Sequence, residues 1–355
     1  MVDLSYRDIQ GNLQEKQETA NSYVISKPGE YCFPLIMGNG IKDGKTNYIA
    51  FTNQRLSEKQ ADFYDYLDRI ITSPEIIGSK SVNIISWDSS REFIKYLRIE
   101  GDYIKFLITN VPEDGANYVI GVKDENEIIM WSWHIWLWGK ELENLKVDKY
   151  ELLNTNLAAK VTVTGELRSW YYQWGRKDPV CFYDKMMGIR ECSETVGQSI
   201  QHPSIFYFYY RDRTYNYNYN YNWVKKKFYY NYWNSKCNKE QVDEKVIKTV
   251  YDPCPPGYTI PGHSVFTYLK NDHWDNDKKG RSFNNGKIFF PASCCRGGSN
   301  GVVYIIGSDD GRYWSAGAAS EHNASRLYFN CDNVDPLYGS SRACGFSVRP
   351  MKEEK

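Results

Sequence analysis

Charge of either sign is not in excess. Lys+Arg and Asp+Glu balance at 44 each across 355 residues, so no long-range field draws the chain to nucleic acid or to an anionic membrane. No transmembrane segment is expected, because a membrane-crossing helix needs roughly 20 apolar residues in a row. No Cys-x-x-Cys pair occurs among the nine cysteines, and the adjacent Cys294-Cys295 has a spacing unsuited to tetrahedral zinc. No cofactor is therefore expected. The odd cysteine count leaves at least one free thiol in an oxidising compartment. Met1–Thr19 is polar and lacks the apolar stretch of a signal peptide; composition leaves open an intracellular chain or a mature or truncated form.

Most catalytic signatures are missing too. The chain contains no His-Glu-x-x-His, Walker A or Gly-x-Gly-x-x-Gly arrangement, and its one Gly-x-Ser-x-Gly spacing, Gly297-Gly298-Ser299-Asn300-Gly301, precedes an expected strand at Val302–Ile306, not the helix of a nucleophile elbow. Gly262-His263-Ser264 sets His beside Ser, but adjacent side chains diverge, and an enzyme needs its groups in mutual reach.

Aromatics are abundant instead, with 30 Tyr and 11 Trp, a bias that suits β-sheets and surfaces that bind sugars, peptides or proteins. The densest stretch is Trp131-Ser132-Trp133-His134-Ile135-Trp136-Leu137-Trp138. Ile129, Trp131, Trp133, Ile135 and Leu137 form one apolar face at period two, and Ser132, His134, Trp136 and Trp138 lie on the other. That is the pattern of a strand with one face buried and the other half-buried, closing one domain and walling the next. His134 reads as a core histidine with a satisfied hydrogen bond rather than a metal ligand.

Residues 1–19 lack periodicity and read as a disordered leader. Residues 20–139 hold short strands at hairpin spacing, expected as an antiparallel β-sandwich. One helix is expected within it at Ser57–Thr72, from the Ser57/Gln60 capping box and the face of Phe63, Leu67, Ile70 and Ile71. The charged residues 140–150 read as a linker. Residues 151–355 form the second domain, with an irregular insertion at about 180–238 that contains the Tyr215–Asn222 alternation of Tyr and Asn. That repeat reads as a surface insertion of edge-strand character or as a binding strip. A further helix is expected at Lys239–Val250 and a short one at Ser264–Lys270. Between them four prolines in Tyr251–Pro261 exclude helix and central strand.

Several blocks occur in a fixed order: Asn21-Ser22-Tyr23-Val24-Ile25 with Pro28-Gly29-Glu30-Tyr31, Met130–Trp136, Tyr172-Gln173-Trp174-Gly175-Arg176-Lys177-Asp178-Pro179, Tyr251–Tyr258, Phe290-Pro291-Ala292, Tyr313-Trp314-Ser315 and Gly345–Arg349. As an ordered set they resemble the Fibrobacter succinogenes major paralogous domain, found in surface proteins of gut Bacteroidetes and Fibrobacter and often joined to fimbrillin-like sandwich domains. The resemblance implies a mainly β chain with an α+β part: a β-sandwich followed by a domain similar to C-type-lectin-like and formylglycine-generating-enzyme-like folds. It also implies export to the cell surface, often as a lipoprotein or fimbrial component. The family's last strand usually ends Val-Arg-Cys, whereas Pro350 follows Val348-Arg349 here; Cys344 could then replace the missing partner of Cys254.

The function expected on this footing is that of a non-enzymatic cell-surface protein, an adhesin or fimbria-associated subunit, which binds a glycan or protein and has possible contacts to other fimbrial subunits. Loops carry function more readily than core positions, which directs attention to Ser308–Tyr313, Ser320–Asn323 and Asn330–Leu337. The candidate ligand residues are Asp309, Asp310, Arg312, Trp314, Asn330, Asp332 and Tyr338. Trp274-Asp275-Asn276-Asp277, with Asp272, resembles the calcium-binding Trp-Asn-Asp of sugar-binding C-type lectins, but it lies ahead of the expected strand and reads first as a solvated acidic loop. The alternatives are an oxidoreductase of the formylglycine-generating kind, acting at cysteine or copper, and a purely structural pilus subunit.

Overall fold

In Tyr103–Ile108, Ile104, Phe106 and Ile108 are buried while Tyr103, Lys105 and Leu107 are half-buried, as a two-residue period requires. The computed structural model describes residues 1–53, 58, 60–181, 188–209, 221–225, 229–238, 245–304, 309–320 and 323–354. The chain is mainly β, with 43% strand against 5% helix.

Two four-stranded sheets make a β-sandwich in the N-terminal part. One runs in the order Val2–Asp3, Gly29–Pro34, Tyr103–Ile108, Ile94–Glu100; the other runs Ser22–Ile25, Ile129–Leu137, Ala116–Lys123, Ser81–Trp87. They meet at Phe33, whose ring lies 4.9 Å from that of Tyr23 and 5.2 Å from that of Trp133. The sandwich is not wholly antiparallel. Val2 pairs with Tyr31, and Ser22 with His134, in parallel register. Ser22–Ile25 and Gly29–Pro34 belong to different sheets although only Ser26-Lys27-Pro28 separates them, so the chain crosses between sheets there instead of turning back as a hairpin.

Three local expectations give way to packing. Residues 1–19 are ordered: Asp3 caps a 3-10 turn at Leu4–Tyr6, Leu4 and Ile9 are buried, and the Glu18 N–H donates to the Ser5 carbonyl. The described residues of the expected helix Ser57–Thr72 form a tight loop, with Tyr64 bridged to Ile70. There the Asp65 carboxylate accepts from the Leu67 and Arg69 N–H groups, competing with the helical pattern for the same donors. The charged stretch 140–150 is no linker. It enters a hairpin of Asn144–Val147 and Tyr150–Leu153, which continues through Met351–Lys352 to Tyr258–Thr259.

The Trp-rich strand is buried on both faces from Met130 to Leu137, because the C-terminal part packs against the face that lies away from the sandwich. Trp136 Nε1 donates to the Ala159 carbonyl at 2.9 Å, and the His134 ring lies 6.2 Å from that of Trp170. His134 itself is satisfied on both nitrogens, by Ser22 Oγ at 3.1 Å and Asn117 Oδ1 at 2.9 Å, and burial holds it down to about 3, hence neutral. Beside it, Lys177 Nζ donates to the Ser132 carbonyl (3.0 Å), to Ser132 Oγ (2.6 Å) and to Asp178 Oδ1 (2.7 Å), and rests 4.6 Å above the Trp131 ring.

The C-terminal part is assembled from short strands. Tyr172–Gln173 pairs with Gly345–Phe346, which continues to Cys295–Arg296 and Val303–Tyr304. Asn271–Asp275, Gly280–Phe283 and Ile288–Pro291 make one meander; Gly311–Ala318, Asn323–Phe329 and Val334–Ser341 make another. Among the described residues the sole α-helix is Val196–Gln201, capped by Thr195. Ser264–Lys270 holds a 3-10 turn at Val265–Tyr268. The described end of the expected helix Lys239–Val250 is irregular, and Lys239 to Glu244 lie outside the described residues, as does most of the Tyr-Asn repeat. No described helix is long and apolar enough to cross a membrane.

Candidate functional site

The last meander carries most of the candidate ligand residues. Its register sets Arg312 opposite Tyr328, Trp314 opposite Arg326 and Arg326 opposite Tyr338, and directly opposed residues share a face. The other face, with Tyr313, Leu327 and Phe329, is core. Asn330–Leu337 is therefore not a free loop. Val334 already begins an outer strand that tolerates Pro336, as edge strands do.

On the shared face, side chains stack from solvent into the interior. Tyr338, 46% exposed, lies 4.6 Å over the Arg326 guanidinium; Arg326 lies 4.9 Å over Phe346; and Phe346 packs 4.4 Å from Trp314. Tyr328 flanks the column, 4.9 Å from Arg326 and 5.5 Å from Tyr338. Arg326 is buried, and burial, with Arg312 beside it, brings it down to about 10, so it remains a cation at neutral pH. Its Nε donates to Ser340 Oγ at 2.5 Å, while Nη1 meets no acceptor. Cation–ring contacts of this kind contribute about 0.5–1 kcal/mol at exposed sites and more where water is excluded.

Polar groups border the column. Asp310 accepts from Arg312 Nη2 (2.7 Å) and from the Tyr328 hydroxyl (3.2 Å), which accepts in turn from Asn330 Nδ2 (3.1 Å). Arg312 Nη1 also reaches Cys295 Sγ at 2.9 Å. Burial nevertheless pushes the Cys295 thiol up to about 11, which leaves only about one part in 10⁴ as thiolate at neutral pH.

The structure thus gathers Asp310, Arg312, Asn330 and Tyr338 in one place. Asp309, next to Asp310, and Asp332, in the bend after Asn330, are exposed. Trp314 is no platform: it is fully buried and donates from Nε1 to the Tyr172 carbonyl. Arg326, Tyr328 and Phe346 were not legible as site residues. The alternation of Arg326 and Tyr328 in one strand was the available signal, but periodicity does not say which face meets solvent.

Asp272 and Asp275 lie in the strand Asn271–Asp275 and Asp277 in the turn that follows it. Asp275 accepts from the Asp277 and Lys278 N–H groups, and Asp272 pairs with His273. Among the described residues no group of three or more His, Cys, Asp or Glu is placed to hold a metal ion. Cys254 and Cys344 are both free thiols; Cys344 sits near Cys295, Arg326 and Arg312, whereas Cys254 faces Asp252 and Lys248.

Compared with family models, curated proteins and solved structures, the chain matches none of them.

Proposed function

We propose that this chain is a non-enzymatic cell-surface binding protein, an adhesin or fimbria-associated subunit, that holds a glycan against the Tyr338 face. The observation that carries the reading is the half-exposed Tyr338 ring, held from beneath by Arg326 and flanked by Tyr328, whose hydroxyl bonds Asp310 and Asn330. A rigid aromatic ring covers the apolar face of a sugar at little entropic cost, and the neighbouring polar groups address its hydroxyls. The surface location and the fimbrial context follow the resemblance to the Fibrobacter paralogous domain, as does the lectin-like C-terminal architecture.

The competing readings have less support. An oxidoreductase acting through Cys294 or Cys295 would need an accessible, readily ionised thiol, and both are buried. A donor-strand pilus subunit would have to release Val2–Asp3 from its own sheet.

A glycan array with the full chain tests the proposal. Tyr338→Ala is expected to weaken the retained glycan by about tenfold or more, the size of a hot-spot loss. Tyr96→Ala, an exposed tyrosine on the sandwich, serves as the control and leaves binding unchanged. Equal binding by the Tyr338 variant, retention of protein ligands alone, or copper binding with oxygen consumption would overturn it.

A further inference from the structure

A cleft of about 930 Å³, sharing no lining residue with the Tyr338 face, lies between the N-terminal residues 5–19, the turn 39–49, the segment 245–258 and the C-terminal residues 352–354. Its size falls within the ~300–1,000 Å³ range of small-molecule sites. Its wall mixes apolar surface with many charged side chains. Six cationic and six anionic side chains line it, together with asparagines and glutamines.

Two acceptors in this wall lack donors. Asn39 is 3% exposed and uses Nδ2 on the Thr249 and Asp252 carbonyls, yet its Oδ1 is buried with no hydrogen-bond partner. Glu18 stands nearby as a half-buried carboxylate, raised by burial and then by Glu353, and lowered by Lys248 and Lys42. Glu353 is taken by Lys42 and lies 3.9 Å from Lys248, and Lys248 also donates to the Cys254 and Pro255 carbonyls.

This arrangement discriminates by charge. An anion would gain Lys42 and Lys248 but face Glu18 and Glu353; a cation would meet the reverse. A neutral ligand rich in hydroxyls encounters neither repulsion. Its O–H groups can donate to the half-buried Glu18 carboxylate, and its oxygens can accept from the lysines and amides of the wall. Buried acceptors that a ligand satisfies are a strong source of selectivity, because a ligand lacking the donor leaves them unpaired.

We propose that this cleft is a second binding site, for a short neutral oligosaccharide, independent of the Tyr338 face. Isothermal titration calorimetry of the full chain provides the test, with neutral hexasaccharides of β-glucan, α-mannan and xylan, and with hexagalacturonate and chitosan hexamer as charged counterparts. At least one neutral hexasaccharide should bind at millimolar concentration or below. Glu18→Ala should weaken it about tenfold or more without moving the thermal unfolding midpoint, while Tyr338→Ala leaves it unchanged. Binding of the charged hexamers alone, no binding by any neutral hexamer, or full affinity in the Glu18 variant would overturn the proposal. Loss with Tyr338→Ala alone would assign the sugar to the other face and overturn it as well. Because the two variants are read separately, failure of this site and failure of the Tyr338 site are distinguishable.

Discussion

The two parts of the molecule bury different chemistry. The sandwich core is hydrocarbon and aromatic: Phe33, Ile104, Phe106, Ile108, Trp133 and Ile135 interdigitate, and no described arginine before Trp138 is buried. The C-terminal part buries six arginines, Arg176, Arg281, Arg296, Arg326, Arg342 and Arg349. Strand length explains the contrast. Most strands of the sandwich run six to nine residues, and their carbonyls are satisfied in the ladders; many in the C-terminal part have two to four residues and leave carbonyls in loops and at strand ends and edges to be paired otherwise. The arginines supply those donors. Arg349 serves the Leu153 and Phe289 carbonyls, Arg281 those of Asn330 and Cys331, Arg342 those of Ser320 and Asn323, and Arg176 that of Ile205. A guanidinium suits the task because it has five donors and a flat face that stacks on rings. Arg349 lies 4.3 Å over Phe290. One region is held by shape, the other by donors aimed at loops and at strand ends and edges.

The junction should give the largest effect. Asp178→Ala leaves the Lys177 ammonium buried without its carboxylate, and urea unfolding should show a loss of about 3–5 kcal/mol. Replacing both, as Lys177→Met with Asp178→Leu, should recover most of it. If the single variant is as stable as the parent, the pair does not join the two parts.

Next comes the contrast itself. Arg349→Met keeps much of the volume but strips donors from Asn156 Oδ1 and two carbonyls. At about 1–3 kcal/mol for each buried group left unpaired, the total should reach about 3 kcal/mol. Leu137→Met, an equally conservative change in the sandwich, should cost less than about 1.5 kcal/mol. Similar costs for the two would erase the distinction.

A pH dependence refines it. Burial depresses His134 to about 3 in the folded state, against about 6.5 unfolded. Between these values the unfolded chain binds a proton that the folded one does not, so this contribution is complete above about 6.5 and is lost as pH falls toward 3. Relative to His134→Gln, the parent should lose about 1.4 kcal/mol per pH unit in that window, measured by urea unfolding at several pH values. A parallel pair of curves would show that His134 is protonated in the fold. The smallest stability effect belongs to Tyr338→Ala, under about 1 kcal/mol by thermal unfolding, although it is the variant expected to weaken glycan retention about tenfold or more.

What was legible followed local pattern. The two-residue alternation of Ile104, Phe106 and Ile108, and of the Trp-rich strand, announced buried strands. His134, on the face of that strand expected to be half-buried, could still be read as a core residue. Expectations failed where one distant contact outweighed a local preference. Asp65 turned the Phe63–Ile71 segment into a loop against Tyr251, and scattered Leu4 and Ile9 were enough to seat residues 1–19. The site was half legible: Asp310, Arg312, Asn330 and Tyr338 stood out by type, while Arg326 and Tyr328 required the strand register.

By itself the sequence determined the mainly β class, the burial of the tryptophan stretch and the balance of charge, since these depend on composition and on spacing along one segment. Only the tertiary structure decided that arginines would line the C-terminal core, that Tyr338 would rest on Arg326, and that Glu18, Lys42 and Glu353 would line one cleft. Each of those outcomes depends on which strands pair and in what register, which no single segment encodes. A shift of one residue would turn every side chain to the opposite face.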